Sequence, residues 1–235
     1  MAGLIVELII SWVLLKFILH QNLLVLGFKI NSKQLIAIII GLFIPVVFLV
    51  IYLVGISLWV KSTYRLNPLY TFAAFKNASS YVLISVIYEE LIFRGALLYI
   101  LIKKIGTQKA LLVSAISFGI YHWFTMGVLG QVVPMLFVFT ITAIMGYIFA
   151  LSFSISRTIF LPMAIHLGYN FTFMIVFSRS NMGEQLLIPM FKNDPVKTGV
   201  VFQTVTTVIH YIIFPFIVWL YLNYLKKRTA SIQPT

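Results

Sequence analysis

The sequence predicts an all-α fold, a polytopic transmembrane bundle of about seven or eight helices. Of its 235 residues, 61% are hydrophobic and only 9% are charged, and the mean hydropathy is +1.05. A soluble domain cannot carry this composition on its surface. Long apolar segments recur along the chain without an evident internal repeat, which disfavours transporters built from duplicated halves. These observations indicate an integral membrane protein.

Seven segments approach the length of about 20 mainly apolar residues that a helix needs to cross a bilayer. The first carries Glu7 and Lys16, which are too far apart to pair, so we expect a shorter helix followed by an interfacial stretch. A polar loop over 178–199 separates the last two segments. The predicted spans are 3–26, 35–60, 77–102, 109–125, 132–152, 158–178 and 200–225.

The charge balance is strongly basic, with 17 Lys and Arg against 5 Asp and Glu. The basic residues lie between apolar runs, where they are expected to face cytoplasm and anionic headgroups rather than nucleic acid. With seven spans, the more basic side holds the loops at Lys29–Lys33, Lys103–Lys109 and Arg157 and the C-terminal KKR. We therefore expect a cytoplasmic C-terminus. The composition, rich in Lys, Ile and Asn and free of cysteine, favours a bacterial cell membrane.

Three charged residues interrupt the third predicted span, at Glu89, Glu90 and Arg94. Each charge at a helix centre costs about 2.5–3.5 kcal/mol, so a partner must offset it. Arg94 lies four residues after Glu90 on the same helical face and can pair with it, whereas Glu89 is rotated by about 100° and lacks a local partner. This spacing predicts a structural Glu90 and a Glu89 available for chemistry. An ion pair for packing, a proton relay in a transporter and a catalytic site all remain open interpretations.

Polar side chains on the fourth and sixth predicted spans match these charges in depth. Counted from the nearest basic loop residue, Glu89, His122 and Asn170 each lie about 20 Å into the bundle. Arg94 and His166 lie about 14 Å in, one turn closer to those loops. His166 and Asn170 also share a helix face. Residues that served only packing on separate helices would have no reason to align in this way.

Peptide hydrolysis needs a base for water, donors for the oxyanion and a proton source for the leaving amine. Because desolvation makes a buried glutamate a better base near neutral pH, Glu89 with His122 could hold and deprotonate water. His166 and Asn170 could donate hydrogen bonds to the oxyanion. The alternative is a zinc site formed by Glu89, His122 and His166, although the H-E-x-x-H pattern is absent. We favour activated water with no cofactor. The remaining histidines, interpreted as packing residues, are His20 and His210.

Three motifs occur in order on separate predicted spans. "EELIFR" fits E-E-x-x-x-R, "FGIYH" fits F-x-x-x-H and "HLGYN" fits H-x-x-x-N. Over about residues 77–178 the sequence therefore resembles the CPBP family of intramembrane proteases, which includes the CAAX prenyl endopeptidases and the bacterial Abi or bacteriocin-immunity proteins.

The resemblance implies a role for each motif residue, and no motif residue is missing. The water is activated by the first glutamate and the histidine of the second motif, and the third motif forms the oxyanion site. Family members have often been labelled metalloproteases, whereas a metal-independent glutamate mechanism has been argued for the CAAX enzymes; we favour the latter, with zinc as the alternative. The implied catalytic residues are Glu89, His122, His166 and Asn170, and the implied supporting residues are Glu90, Arg94 and Phe118.

The resemblance covers a predicted catalytic core of four helices over 77–178; N-terminal helices over 1–76 precede this core, and a polar loop, last helix and basic tail over 179–235 follow it. The resemblance implies an endopeptidase acting on a membrane-associated peptide or protein, in peptide-precursor processing or bacteriocin self-immunity. The alternatives are a proton-coupled transporter with Glu89 as its relay and a non-catalytic membrane scaffold. The expected partners are the substrate and the lipid bilayer, not nucleic acid.

Overall fold

The computed structural model describes residues 2–177, 185–191, 196 and 198–230. These residues form an almost entirely helical bundle, which confirms the predicted helical, membrane-type architecture. The polar loop and the C-terminal tail lie partly outside the described residues. The helices are α1 (Ala2–Leu19), α2 (Ser32–Trp59), α3 (Phe72–Arg94), α4 (Ala96–Ile105), α5 (Thr107–Thr125), α6 (Val132–Ser156), α7 (Phe160–Asn170), α8 (Val200–Val208) and α9 (Phe214–Ala230).

Several described helices have the length and apolarity of membrane spans. Three of them are long and apolar enough to cross a membrane, namely Ser32–Trp59, Val132–Ser156 and the combined segment Val200–Arg228. Two π-helical segments continue neighbouring helices, Phe171–Val176 after α7 and Ile209–Ile213 between α8 and α9. The number of spans therefore stays a prediction, whereas the membrane-type character of the bundle is clear.

The first predicted span is shorter than its apolar run, as expected. α1 ends at Leu19, and a short 3-10 helix follows over Leu23–Leu26. α2 then begins with a capping box, in which the Asn31 side chain accepts from the Gln34 backbone N–H and the Gln34 side chain accepts from that of Asn31. These reciprocal bonds satisfy two backbone donors that a helix start leaves without partners.

The third predicted span is wrong as a single helix, because α3 ends at Arg94 and α4 starts at Ala96. The break lies at Gly95, where a Cβ atom would lie 2.1 Å from the carbonyl oxygen of Leu91. Only glycine fits so close a backbone approach. The break lies between Glu89 and the basic loop at Lys103–Lys109, so the predicted depth of Glu89, which assumes one continuous helix, does not apply. The contacts of the polar residues show which of them lie together.

A two-stranded antiparallel sheet is the exception to the all-α prediction. β1 (Ser62–Leu66) follows α2, and β2 (Leu187–Phe191) follows the π-helical segment after α7; Ser62 pairs with Phe191 and Leu66 with Leu187. The sheet thus joins two loops at one end of the bundle. At the other end, the Thr158 hydroxyl donates to the Gly27 carbonyl at 2.8 Å.

α2 and α7 lie unusually close together behind the polar residues. A Cβ atom at Gly168 would lie 2.2 Å from the Leu42 carbonyl oxygen. Small residues allow such backbone approach between membrane helices. On the same side of the bundle, an apolar cluster that includes Phe118, Phe149 and Ile165 packs α5, α6 and α7 together. This packing fixes the helices that carry the polar residues.

Candidate active site

The predicted pair of Glu90 and Arg94 is present and fully buried, with both side chains 0% exposed. Arg94 Nη1 donates to Glu90 Oε1 at 3.2 Å, and Arg94 Nη2 donates to the Gly146 carbonyl oxygen at 3.1 Å. The guanidinium is thus held by a carboxylate of its own helix and by the backbone of α6. A charge-assisted hydrogen bond in such surroundings offsets much of the cost of burying both charges.

Aromatic rings surround the guanidinium of Arg94. Its carbon lies 4.2 Å from the ring centroid of Phe118, 5.1 Å from that of Phe149 and 5.6 Å from that of Phe93. The negative face of an aromatic ring attracts a cation, most strongly where water is excluded. Phe118 therefore contacts the ion pair, as its predicted supporting role requires. Phe149 was missed because it lies in a uniformly apolar helix.

His166 is bound to the same carboxylate from the opposite helix. Its Nδ1 lies 2.8 Å from Glu90 Oε1, and its Nε2 lies 3.0 Å from the Asn170 amide nitrogen. The ring stacks on Phe149 with centroids 4.7 Å apart and planes 18° apart. Because a carboxylate accepts, Nδ1 carries the proton; Nε2 then accepts from Asn170. Glu90 thus holds His166 as well as Arg94, a contact that the sequence did not predict.

Glu89 lies at the edge of this cluster, with its side chain 12% exposed. Its Oε2 is 3.8 Å from His166 Nε2, too far for a hydrogen bond. Ser85, one turn earlier on α3, donates to Glu89 Oε1 at 3.4 Å. The expectation that Glu89 has no local partner is therefore wrong. That hydrogen bond is long, so the carboxylate remains available to other ligands.

His122 is oriented by the backbone of its own helix. Its Nδ1 lies 2.8 Å from the Phe118 carbonyl oxygen. A carbonyl oxygen can only accept, so Nδ1 carries the proton and Nε2 has a free lone pair. The ion pairs among the described residues do not include one between His122 and Glu89.

All four predicted catalytic residues line one cavity of about 430 Å³. The cavity lies among α3, α5, α6, α7 and the π-helical segments, and it continues from the polar cluster past Thr125 and Met126 at the end of α5. α6 and Tyr211 were not expected in its wall. The structure therefore brings together residues from three sequence motifs; besides hydroxyl side chains of Tyr and Thr, the polar residues that line the cavity are Ser85, Glu89, His122, His166 and Asn170.

The proposed zinc ligands do not form a metal-binding group. Within the described part of the chain, no three His, Cys, Asp or Glu side chains are placed to hold a metal ion, and this includes the set of Glu89, His122 and His166.

The other two histidines lie outside the cavity lining. His210 is buried, hydrogen-bonds the Tyr169 hydroxyl and stacks on Tyr211. His20 follows the end of α1 with a left-handed φ of 55°. Both positions agree with the interpretation of these residues as structural.

Residues 71–172 match the family model described as "Type II CAAX prenyl endopeptidase Rce1-like". The matched segment contains all three motifs and confirms the resemblance derived from them. No curated protein and no solved structure shows a significant match to the chain.

Proposed function

We propose that this protein is an integral membrane endopeptidase that hydrolyses a peptide bond of a membrane-associated protein or peptide with activated water. One observation carries the proposal: Glu89, His122, His166 and Asn170 line a single cavity inside an apolar bundle. Polar groups are expensive in such surroundings and mark functional sites in membrane proteins. The match of residues 71–172 to a CAAX prenyl endopeptidase family supports the same reaction class.

Glu89 and His122 are the proposed pair for water activation. The free lone pair of His122 Nε2 and an oxygen of Glu89 both accept hydrogen bonds. A water molecule that donates one hydrogen bond to each of these two acceptors keeps a free lone pair. That lone pair can attack the carbonyl carbon of the substrate's peptide bond. Glu89 then takes one proton as the water attacks, which is the role of a general base.

Asn170 and His166 are the proposed groups for the oxyanion and the leaving amine. The Asn170 amide is a donor in its present contact. His166 Nε2 accepts in that contact and lies 3.8 Å from Glu89 Oε2, so it becomes a donor when Glu89 passes to it the proton taken from the water. The Glu90 carboxylate at Nδ1 stabilises the doubly protonated ring, as a carboxylate does behind a catalytic histidine. His166 can then stabilise the oxyanion and protonate the departing nitrogen.

The mechanism uses residues of this chain and requires no cofactor, while zinc hydrolysis is the competing proposal. The natural role is proposed to be the processing of peptide precursors or self-immunity to a bacteriocin. We place the protein in a bacterial cell membrane with its C-terminus in the cytoplasm. The proposed catalytic core over 77–178 was predicted to have four helices; because the third predicted span is divided at Gly95, it contains α3 to α7, and these supply every motif residue.

The decisive experiment is the cleavage of membrane-anchored peptide reporters by the purified protein. The wild type is compared with Glu89→Gln and with Glu7→Gln, each with and without a strong chelator. Glu7 is a matched control because it lies in α1 and is not among the residues that line the cavity. We expect the wild type and Glu7→Gln to cleave with or without chelator, and Glu89→Gln to be inactive.

Other outcomes separate the alternatives. Cleavage that stops on chelation and returns with zinc would contradict the metal-free mechanism while keeping the protease. A wild type that cleaves no reporter but shows proton-driven flux, which Glu89→Gln abolishes, would indicate a transporter and not a protease. A membrane phenotype that Glu89→Gln leaves intact would indicate a scaffold.

A further inference from the structure

A second, apolar groove adjoins the candidate active-site cavity on its lipid side. It has a volume of about 420 Å³ and lies between α6 and the segment formed by α8 and the π-helix over Ile209–Ile213. Ile141 and Tyr211 line both this groove and the cavity that contains Glu89. These two side chains therefore form a shared wall between the groove and the candidate active site.

The wall between groove and cavity is a contact of side chains rather than of tightly packed backbones. The rings of Phe137 and Tyr211 meet edge to face, with centroids 5.9 Å apart. None of the nine residues of α8, all of which the structure describes, is buried. α6 presents Val133 and Leu136 outward on the same side, 75% and 62% exposed.

The backbone on one side of the groove is irregular at the point of contact. Tyr211 lies in the π-helical segment, four residues before Pro215. A proline lacks the N–H that would bond the carbonyl four residues earlier, so the regular ladder is interrupted there. Such π-helical segments are frequent at functional sites. Tyr211, which lines both the groove and the cavity, therefore lies at a local irregularity of the backbone.

We propose that this groove admits the apolar, membrane-embedded polypeptide segment of the substrate, which enters the active site sideways from the bilayer between α6 and α8. The inference rests on the proposed function. The occupant is a polypeptide because the groove leads to Glu89, so a segment bound there carries its own adjoining peptide bond to the base. From Val133 to Ile144 the α6 wall is about 17 Å long at 1.5 Å per residue, enough for about five extended residues.

The absence of cysteine from the chain permits a clean cross-linking test. Thr140→Cys and Thr207→Cys place one thiol on each wall of the groove, where a short bifunctional thiol reagent with a reducible linker can join them. The matched control is Ile44→Cys with Ile217→Cys, which line a separate apolar groove between α2 and α9. Two reporters with the same scissile sequence are compared. In the first, this sequence adjoins a transmembrane segment; the second is a short, water-soluble peptide.

We expect cross-linking of the first pair to slow cleavage of the transmembrane reporter at least 10-fold, to leave the soluble reporter unaffected, and to be reversed by reductant. Cross-linking of the control pair should change neither rate. Equal loss of both reporters, or loss of neither, would overturn lateral entry. Because the unlinked protein is assayed in parallel, a failure of the proposed protease activity is recognised separately, as no cleavage before any reagent is added.

A capture experiment tests occupancy directly. In a Glu89→Gln background, a photoreactive label on Leu136→Cys should attach to the apolar segment of the transmembrane reporter. The same label on Phe43→Cys, in the separate groove, should not. Capture of bilayer lipid alone at position 136 would contradict the proposal and assign the groove to lipid.

Discussion

His166 Nδ1 lies 2.8 Å from Glu90 Oε1, the same carboxylate oxygen that accepts from Arg94 Nη1 at 3.2 Å. One oxygen therefore joins a buried cation on its own helix to a ring on a helix 76 positions later. The ion pair and the orientation of the imidazole depend on the same atom. Changes at Glu90 and Arg94 should consequently affect both folding and activity, whereas changes at Glu89 should affect activity alone.

Arg94→Ala should lower the amount of folded protein. The substitution leaves the fully buried Glu90 without its cation, and removing one partner of a buried pair costs about 3–5 kcal/mol. The measurement is the yield of monodisperse protein extracted in mild detergent, with its midpoint of thermal unfolding. Arg65→Ala, at an exposed position in β1, is the control and should match the wild type. Equal yields of both variants would contradict the structural role of Arg94.

Glu90→Gln should lower the amount of folded protein, because it leaves the buried Arg94 without its counter-charge, and the protein that does fold should lose activity. The amide keeps the shape of the side chain and can still accept from His166, but it has no charge to stabilise a doubly protonated ring. We expect kcat to fall by about 10²-fold with KM nearly unchanged, within the range of acid–base contributions. The readout is steady-state cleavage of a membrane reporter. A variant with a raised KM and an unchanged kcat would show that Glu90 serves substrate binding rather than the chemistry of His166.

Asn170→Ala should reduce kcat without unfolding the protein. Its amide donates to His166 and lines the cavity, so it is placed to donate to an oxyanion. Loss of one such donor typically costs 10²–10³-fold in kcat. Cleavage rates are compared with those of Asn67→Ala, whose side chain bonds a loop carbonyl at the end of the bundle. Similar cleavage rates for the two variants would show that Asn170 does not contribute to catalysis.

Local sequence spacing predicted part of this site, and long-range packing supplied the rest. The pairing of Glu90 with Arg94 follows from four-residue spacing on one helix, and so does the contact of His166 with Asn170. The contact between Glu90 and His166 joins two helices, so only the tertiary structure reveals it. Likewise, depth counting grouped His122 with Glu89 and Asn170, which line the same cavity, but could not show that the His122 Nδ1 bonds the backbone of its own helix.

The elements that prediction missed have physical reasons too. Phe149 lies in a helix that is apolar on all sides, so no periodicity distinguishes its role. The strands over Ser62–Leu66 and Leu187–Phe191 are five residues each and pair across a long separation, which a hydropathy pattern cannot detect. The break after Arg94 depends on the close approach of Gly95 to a carbonyl oxygen. The sequence is apolar on both sides of that break, so a hydropathy pattern does not reveal it.

Gly168→Ala should destabilise the bundle. The added methyl group would lie 2.2 Å from the Leu42 carbonyl oxygen, so α2 and α7 must move apart. Overpacking of this kind costs about 1–3 kcal/mol. Gly55→Ala is the matched control, because it also lies within a helix and its methyl group would meet no atom within 4 Å. Thermal unfolding in detergent should show a lower midpoint for Gly168→Ala alone, and identical midpoints would refute the close packing.

Hydrolysis inside the bundle requires that water reach Glu89, and cysteine labelling can test this. Ser85 lines the cavity within hydrogen-bond distance of Glu89, whereas Ser114 is 4% exposed and bonds the Phe93 carbonyl. Both are serines within helices, so each Ser→Cys substitution is equally conservative. A charged, membrane-impermeant thiol reagent should label Ser85→Cys and not Ser114→Cys. Because such a reagent travels only through water, labelling at 85 that a bound reporter blocks would show a hydrated path to the base. Resistance of Ser85→Cys in both detergent and vesicles would mean that the cavity is dry, and water activation by Glu89 would then be untenable.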